Sequence, residues 1–290
     1  DFDGINDYLD CGDADVFTIN NSGNNNGWSV SLWLKIDSSG IVQQLLSKSL
    51  TNYYAGSRHY EYNLKIEANN KLRFNIYGGD DINVYQRIDI DTALITGRWY
   101  NVIYTYDLGS NASTSLSAYL DGIKKTNGNG ATTHQAGIWV PPVNTQDPLE
   151  FGRILNDYAQ CNLDELSMWD TELSQQDVNE IYNSGVPCDL TFHSAYSDIL
   201  GWWRNGDGAE NGNGSTIYDM SSFSNNATIY GSVFDTNLTL PFCTLTTTSG
   251  CDSTAILNLT INNSTTSTTT ITACDSYDWN GTTYTSGGTY

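Results

Sequence analysis

The stretch CNLDELSMWDTELSQQDVNEIYNSG, residues 161–185, decides the fold class. Its first half predicts a buried strand through four apolar residues, Leu163, Leu166, Met168 and Trp169. Its second half predicts a short helix, because Ser174 can cap it with Asp177 in the capping-box position, and Gly185 stands where a left-handed C-cap residue is wanted. Apolar residues recur between them at helical spacing, namely Val178, Ile181 and Tyr182. A single short helix after a long run of strands predicts a β-sandwich.

The chain before this stretch alternates as strands do. WSVSLWLKI, residues 28–36, places apolar and polar residues on opposite faces and predicts a half-buried strand, with Trp33 on its polar face. WYNVIYTY, residues 99–106, alternates again, and SAYLDGIK, residues 117–124, predicts a hairpin with a tight turn at Asp121-Gly122. The sequence therefore predicts an all-β fold with one short helix.

Three motifs carry a family resemblance. Three stretches resemble parts of laminin G-like and pentraxin-like domains. The first strand of these domains is matched by FDGINDYLDCG (2–12), and a strand near their end by LEFGR (149–153). Their closing motif is matched by DELSMWDTELSQQDVNEIYNSG (164–185). These domains are jelly rolls of the concanavalin A-like superfamily. The resemblance implies a concanavalin A-like jelly-roll sandwich over residues 1–235, with the segment around 216–231 packed beside the first strand.

Residues 236–290 differ in composition, being rich in Thr, Ser and Asn. Their CDS pieces at 251–253 and 274–276 resemble the tandem Cys- and Thr-rich repeats of Bacteroidetes-type surface adhesins. This resemblance implies a small partial β repeat and an extracellular or cell-surface location, with the chain a segment of something longer. A disordered Ser/Thr linker around residues 262–270 is the alternative.

Charge narrows the choice of partners. Lys plus Arg number 12 and Asp plus Glu 33, so the net charge is 12 − 33 = −21. Such a chain repels nucleic acid and anionic membranes, and no apolar run is long enough to span a bilayer. We therefore expect no nucleic-acid partner and no membrane insertion. Acidity also suits a protein that binds divalent cations.

The six cysteines contain no CxxC pair, which makes zinc improbable and favours disulfides in an oxidising compartment. The pairing stays open from the spacing. The family resemblance makes the strands of Cys11 and Cys161 neighbours, a Cys243–Cys251 loop is an alternative, and Cys274 could pair beyond the chain.

Catalytic patterns are absent from the sequence. No E-x-D-x-x-E triplet is present, and the adjacent Asp164 and Glu165 would face opposite ways in a strand. His59, His134 and His193 lie in no recognisable frame with a nucleophile. The sequence therefore predicts a non-catalytic protein.

Calcium is the predicted cofactor. Related domains hold Ca²⁺ between the turn of the first strand and the last strand, and this resemblance points to Asp3, Asp7 and Asp164 as ligands. The alternative is structural, with Asp3 forming a turn before Gly4 and Asp164 capping a strand end.

A sugar site needs aromatic platforms and nearby polar groups. The sequence offers a set of eight residues, Tyr53, Tyr54, Arg58, His59, Tyr60, Tyr77, Tyr85 and Trp139. Arg58 and His59 could also meet a sulfate or carboxylate. Alternatively, several of these tyrosines pack the edge of the sandwich, and Trp202-Trp203 are predicted to be core residues.

The predicted function is a non-catalytic, calcium-supported carbohydrate-binding or adhesion module of a large extracellular surface protein. Its partner would be a glycan or polysaccharide, or another cell-surface molecule. Two alternatives stay open: a structural spacer or protein-interaction domain without a sugar site, and an accessory module of a polysaccharide-degrading enzyme.

Overall fold

A computed structural model gives the fold. It describes residues 1–19, 27–49, 60–79, 81–108, 115–125, 132–134, 142–187, 189–205, 212–232 and 270–289.

The described residues form many strands and one α-helix. The strands are β1 (Phe2–Asp3), β2 (Tyr8–Asp10), β3 (Gly27–Ile36), β4 (Gln43–Ser49), β5 (Tyr60–Ile66), β6 (Leu72–Gly78), β7 (Asp81–Asp89), β8 (Trp99–Asp107), β9 (Leu116–Leu120), β10 (Ile123–Lys124), β11 (Thr132–His134), β12 (Leu149–Phe151), β13 (Arg153–Ile154), β14 (Asp157–Tyr158), β15 (Gln160–Trp169), β16 (Ile199–Trp203), β17 (Gly212–Asn213), β18 (Thr216–Ile217), β19 (Ala227–Tyr230), β20 (Tyr277–Trp279) and β21 (Thr282–Tyr284). The helix α1 is Gln175–Tyr182, and 3-10 turns span Asp15–Phe17, Asn183–Gly185, Leu190–Phe192 and Tyr196–Asp198.

Two antiparallel sheets make the sandwich. The seven-stranded sheet has the order β1-β15-β3-β8-β9-β10, and β16 also pairs with β15. The ten-stranded sheet has the order β11-β7-β6-β5-β4-β12-β2-β19-β18-β17. The predicted all-β sandwich with one short helix is confirmed.

The core fills the space between the sheets. Trp28 from one sheet packs against Tyr62 and Phe74 from the other, with ring centroids 5.1 Å and 5.8 Å away. The Tyr62 hydroxyl donates to the Phe17 carbonyl oxygen at 2.8 Å, so its polar end is satisfied inside the core. Each such side chain stabilises the fold by about 1.5–3 kcal/mol through burial.

β3 differs from its prediction as a half-buried strand, because all ten of its residues are buried. Its polar face is covered by the segment after β15 and by α1. The Ser29 hydroxyl donates to the Thr171 carbonyl oxygen at 2.7 Å and accepts the Leu173 N–H at 3.0 Å. Trp33 stacks on Tyr182 of α1, with centroids 6.2 Å apart. The outer face of this strand is therefore a second buried layer.

The predicted start of α1 is confirmed and its predicted end is wrong. Ser174 accepts the Asp177 N–H, and the Asp177 carboxylate accepts the Ser174 N–H at 2.7 Å, which completes a capping box. The left-handed C-cap residue is Asn183, with φ 39°, rather than Gly185. Asn tolerates this conformation, and its side chain donates to the Val186 carbonyl oxygen at 2.9 Å.

The predicted opening strand is divided between the two sheets. β1 pairs with β15, whereas β2 pairs with β12 and β19, and a turn at residues 4–7 connects them. Cys11 follows β2 and Cys161 lies in β15, so the two thiols belong to different sheets. Both are buried and free, and burial raises the pKa of each thiol. No disulfide therefore joins Cys11 to Cys161. Cys274 is free and exposed, and Cys243 and Cys251 lie outside the described residues.

Residues 199–232 complete the sandwich. β19 pairs with β2, which confirms the predicted place beside the first strand. Trp202 and Trp203 are both buried, as predicted, and they lie on opposite faces of β16.

Asp219 holds this segment together. Its Oδ1 accepts the Trp202 N–H at 2.8 Å and the Ser221 N–H at 2.9 Å. Its Oδ2 accepts the Ser221 hydroxyl and the Asn225 N–H, both at 2.8 Å. One buried carboxylate thus serves as acceptor for donors from two segments of the chain.

The chain divides into two compact units, Asp1–Thr244 and Leu245–Tyr290. In the second unit, β20 and β21 form a hairpin whose turn residues Asn280 and Gly281 both have positive φ, as a type I′ turn requires. The division at residues 235 and 236 and the adhesin-type repeat stay predictions. None of the described helices is both long enough and apolar enough to cross a membrane.

Candidate functional site

The outer faces of the two sheets differ in what covers them. On the seven-stranded sheet, α1 and the turns after it bury an apolar cluster formed by Ile103, Tyr119, Trp169, Leu173, Val178, Ile181, Leu190, Ile199 and Trp202. This face is therefore occupied by the chain itself. On the ten-stranded sheet, the outer face of β5, β6 and β7 presents partly exposed aromatic and charged side chains.

Strand register arranges these side chains in three rows. The aromatic row consists of Tyr60, Tyr77 and Tyr85, the middle row of Asn63, Asn75 and Arg87, and the ionic row of Lys65, Arg73 and Asp89. We call this surface the three-row face. Each row crosses the three strands. Successive rows are two residues apart, about 7 Å along a strand, except in β5, where Tyr60 and Asn63 are three residues apart.

The aromatic row is continuous. The Tyr60 and Tyr77 ring centroids are 5.1 Å apart, and those of Tyr77 and Tyr85 are 6.1 Å apart. All three rings are partly exposed. Burial raises the pKa of the Tyr77 hydroxyl, so it stays neutral at physiological pH. Together the rings form an amphipathic platform.

A register shift brings Tyr60 into this row. Lys48 pairs with Tyr62 and Ser49 pairs with Tyr60, so Glu61 is an extra residue in β5. The Glu61 side chain is buried, and its Oε1 lies 3.1 Å from Lys48 Nζ and accepts the Thr145 N–H at 2.8 Å. Without this bulge, the position beside Tyr77 would be occupied by a carboxylate.

The middle row supplies amides and one guanidinium. Asn75 Nδ2 donates to Asn63 Oδ1 at 2.8 Å, and the Tyr77 hydroxyl lies 3.5 Å from the same oxygen. Arg87 lies opposite Asn75 in the neighbouring strand. Asn63 and Asn75 are each 5% exposed and bind one another, so the part-exposed polar group of this row is the Arg87 guanidinium.

The ionic row is tied together by Arg73. Its Nε and Nη2 donate to the two Asp89 carboxylate oxygens at 2.8 Å and 3.1 Å. Its Nη1 lies 2.5 Å from Glu67 Oε1, and Lys65 Nζ lies 3.0 Å from that oxygen. Hydrogen bonding to Asp89 raises the pKa of the Arg73 guanidinium. Asp89 and the adjoining Glu67, which follows Lys65 by two residues, are thus both engaged by cations.

The structure brings together three of the predicted sugar-site residues, Tyr60, Tyr77 and Tyr85. The other five lie outside the described residues: Tyr53, Tyr54, Arg58, His59 and Trp139. The sequence analysis did not single out Asn63, Asn75 or Arg87. The available signal was period two, since Asn75 precedes Tyr77 by two residues and Arg87 follows Tyr85 by two.

The predicted calcium ligands do not converge. Asp7 Oδ2 accepts the Asp3 N–H at 2.9 Å, and Asp3 Oδ1 accepts the Ile5 N–H at 2.7 Å, so these carboxylates already bind their own turn. Asp3 pairs with Gln160, and Asp164 lies four residues further along β15, a distance of about 13 Å. Calcium needs its oxygen ligands around one point, so these three residues do not fit a single site.

Asp177, Glu180 and His193 have potential metal-ligand atoms within 4.8 Å of one another. His193 Nδ1 accepts the Ala195 N–H at 3.1 Å, which leaves Nε2 to carry the ring proton. Nε2 lies 3.3 Å from the Asp177 carbonyl oxygen and 3.6 Å from Glu180 Oε2. A metal would need a lone pair on that nitrogen. We therefore assign the cluster to the docking of α1.

A laminin G model of the concanavalin A-like lectin/glucanases superfamily matches residues 3–179. No curated protein matches the sequence. A solved structure of a candidate carbohydrate binding protein from Bacteroides ovatus has a TM-score of 0.51 at 15% identity, over 79% of this chain and 59% of that one. The chain thus spans about three fifths of that protein.

Two further structures are more distant. The heptameric SAP-like pentraxin from Limulus polyphemus has a TM-score of 0.41 at 12% identity, covering 62% of this chain and 79% of that one. The CBM40 of the Ruminococcus gnavus IT-sialidase, bound to α2,3-sialyllactose, has a TM-score of 0.40 at 14% identity, covering 54% and 83%. Of the three, the first supports the fold.

Proposed function

The chain belongs to the concanavalin A-like lectin/glucanase superfamily, and on this premise we propose that the three-row face binds carbohydrate without catalysis. The observation that carries the proposal is the aromatic row beside fixed amides, on a sheet face that α1 does not cover. Sugar rings present apolar C–H faces and equatorial hydroxyls together, and tyrosine rings beside the part-exposed Arg87 side chain complement both. The similar B. ovatus structure is itself named as a candidate carbohydrate binding protein, in agreement with this proposal.

The ionic row favours binding over hydrolysis. Glycoside hydrolysis needs two carboxyl groups that act separately as acid and as nucleophile or base. On the three-row face, Glu67 and Asp89 are both held by Arg73. Neither is placed as an independent acid, so we propose that the module retains its ligand unchanged.

Adhesion and an extracellular location belong to the same proposal. They rest on the composition and adhesin-like CDS pieces of residues 236–290. Because Cys11 and Cys161 are free, that pair gives no support for an oxidising compartment. Calcium support stays a prediction without an assigned ligand set.

A glycan array probed with the full chain tests the proposal, run once with calcium and once with chelator. Tyr60→Ala and Tyr85→Ala each remove an outer ring of the aromatic row. We expect each to weaken binding about ten- to a hundredfold, because the lost ring contact is worth about 1.5–3 kcal/mol. Loss of binding in chelator would support the calcium prediction.

The matched control is Tyr230→Ala. Tyr230 is a surface tyrosine of β19 in the same sheet, where it stacks on Tyr8 with centroids 4.4 Å apart. The Tyr230→Ala substitution should leave glycan binding unchanged. Failure of the folded protein to bind any glycan would contradict the proposal and leave the structural-spacer alternative. Equal effects of Tyr85→Ala and Tyr230→Ala would exclude the three-row face as the site.

A further inference from the structure

Arg87 differs from the other cations of the three-row face in its partners. Its Nε lies 3.7 Å from Asp89 Oδ1, which is beyond hydrogen-bond distance. The Asp89 carboxylate already accepts two hydrogen bonds from Arg73. The Arg87 side chain keeps 28% of its surface exposed. Its guanidinium therefore has donors that short ion pairs within the face do not engage.

Among the described residues, the charged side chains of the three-row face and the adjoining Glu67 leave one cation in excess. Lys65, Arg73 and Arg87 face Glu67 and Asp89, which gives 3 − 2 = +1. The whole chain has a net charge of −21, so this local positive charge is opposite in sign to the charge of the protein as a whole. An anion approaching most of the surface is repelled, and a local cation must compensate for it to bind.

Arg87 lies next to the aromatic row on the surface of the sheet. Arg87 follows Tyr85 by two residues in β7, so both side chains lie on one face, about 7 Å apart along the strand. It is also the register partner of Asn75, whose amide donates to Asn63. A ring packed on Tyr85 would thus have a guanidinium at one edge and amides along its side.

We propose that the carbohydrate bound by the three-row face is anionic, with its carboxylate or sulfate held by Arg87 while the sugar ring packs on Tyr85 and Tyr77. This inference rests on the proposed function. The planar guanidinium presents parallel N–H donors that match a carboxylate or sulfate in a bidentate pair, which a lysine ammonium cannot do. Arg73 cannot take this role, because Asp89 and Glu67 occupy its donors.

The test compares charged glycans with neutral counterparts, using the full chain and isothermal titration calorimetry. Hexuronate and sialate glycans are probed before and after reduction of the carboxyl group, and sulfated glycans before and after desulfation. We expect at least one anionic class to bind ten times or more tighter than its neutral counterpart. The class that shows this preference distinguishes carboxylate from sulfate.

Arg87→Gln should remove the preference, so that the variant binds the anionic glycan no more tightly than its neutral counterpart. Arg87→Lys should restore only part of it. The matched control is Lys124→Gln, which removes the same charge from an exposed position in β10 of the other sheet and should have no effect. Unchanged melting temperatures would show that the variants are folded.

Two results would overturn the inference while the proposed function survives. One is equal binding of charged and neutral glycans by the wild-type chain. The other is a preference for charge that persists in Arg87→Gln. Absence of binding to every glycan, charged or neutral, would instead remove the proposed function itself, and the inference with it.

Discussion

The substitution Asp219→Ala should destabilise the first unit strongly without affecting the three-row face. Asp219 is 7% exposed and accepts from the N–H groups of Trp202, Ser221 and Asn225. Alanine leaves these three donors without that acceptor in a largely buried setting. An unsatisfied buried donor costs about 1–3 kcal/mol, and partial access of water to the Asn225 N–H moderates the sum. We expect a loss of about 3–5 kcal/mol.

That loss is large beside the total stability of a domain, about 5–15 kcal/mol. At about 2–4 °C per kcal/mol for a unit of this size, the melting temperature should fall by roughly 10–15 °C. Circular dichroism melts and urea denaturation of the full chain measure both quantities. Asp219→Asn, which keeps one acceptor oxygen, should lose about half as much.

The matched control is Asp189→Ala. Asp189 also accepts a backbone N–H, from Thr191 at 2.9 Å, but in an exposed turn where water can replace it. The Asp189→Ala substitution should lower the free energy of unfolding by about 1 kcal/mol or less. If Asp219→Ala costs no more than this control, Asp219 does not hold residues 199–232 on the sandwich by its hydrogen bonds, and the reasoning is refuted.

Two further predictions concern pH and backbone conformation. Thermal stability should rise as pH is lowered from neutrality towards 4.5, the usual pKa of a glutamate, because burial raises the pKa of Glu61 in the folded protein above that value and the folded protein takes up the proton first. Glu61→Gln should flatten this rise in a pH series of melts. Below about pH 3.8 the trend should reverse, since the pKa of Asp177 is lowered, despite its burial, by hydrogen bonds from Ser174, and protonation removes that contribution. Gly122→Ala should lower the free energy of unfolding by about 2–3 kcal/mol, because φ is +75° and the new Cβ would lie 2.7 Å from a ring carbon of Tyr182 in α1. Gly12→Ala is the control for backbone strain alone, since its φ is +73° and no atom lies within 4 Å of its new Cβ. Equal losses of stability in the two variants would exclude the clash with Tyr182.

What the sequence predicted correctly depended on local signals. The capping box at Ser174 and Asp177 lies within four residues, so spacing alone locates the helix start. The end of α1 was wrong because Asn183 and Gly185 can both adopt positive φ, and local pattern does not rank them. The sandwich itself followed from ordered motifs and alternation, which report which residues face a core.

Long-range contacts explain the features that the sequence left undetermined. The alternation of β3 predicts that one face of the strand is exposed to solvent. That face is buried, because α1, which follows more than 130 residues later in the sequence, packs against it. Arg73 lies between Leu72 and Phe74, and Arg87 follows Gln86 and precedes Ile88 in the neighbouring strand, so nothing local separates their roles. The geometry of Asp89 distinguishes them, since it binds Arg73 at two atoms and lies 3.7 Å from Arg87.

The chemistry of the two outer faces explains why α1 covers one of them and not the other. On the seven-stranded sheet the outer face presents Trp33, Ile103 and Tyr119, whose burial under an amphipathic helix is favourable. The same helix placed on the three-row face would take the part-exposed Lys65 and Arg87 side chains away from water and supply no matching polar groups, at a cost of several kcal/mol. A ligand rich in hydroxyls does supply such groups. The pattern that directs the helix to the seven-stranded sheet thus also agrees with the polar ligand that we propose for the three-row face.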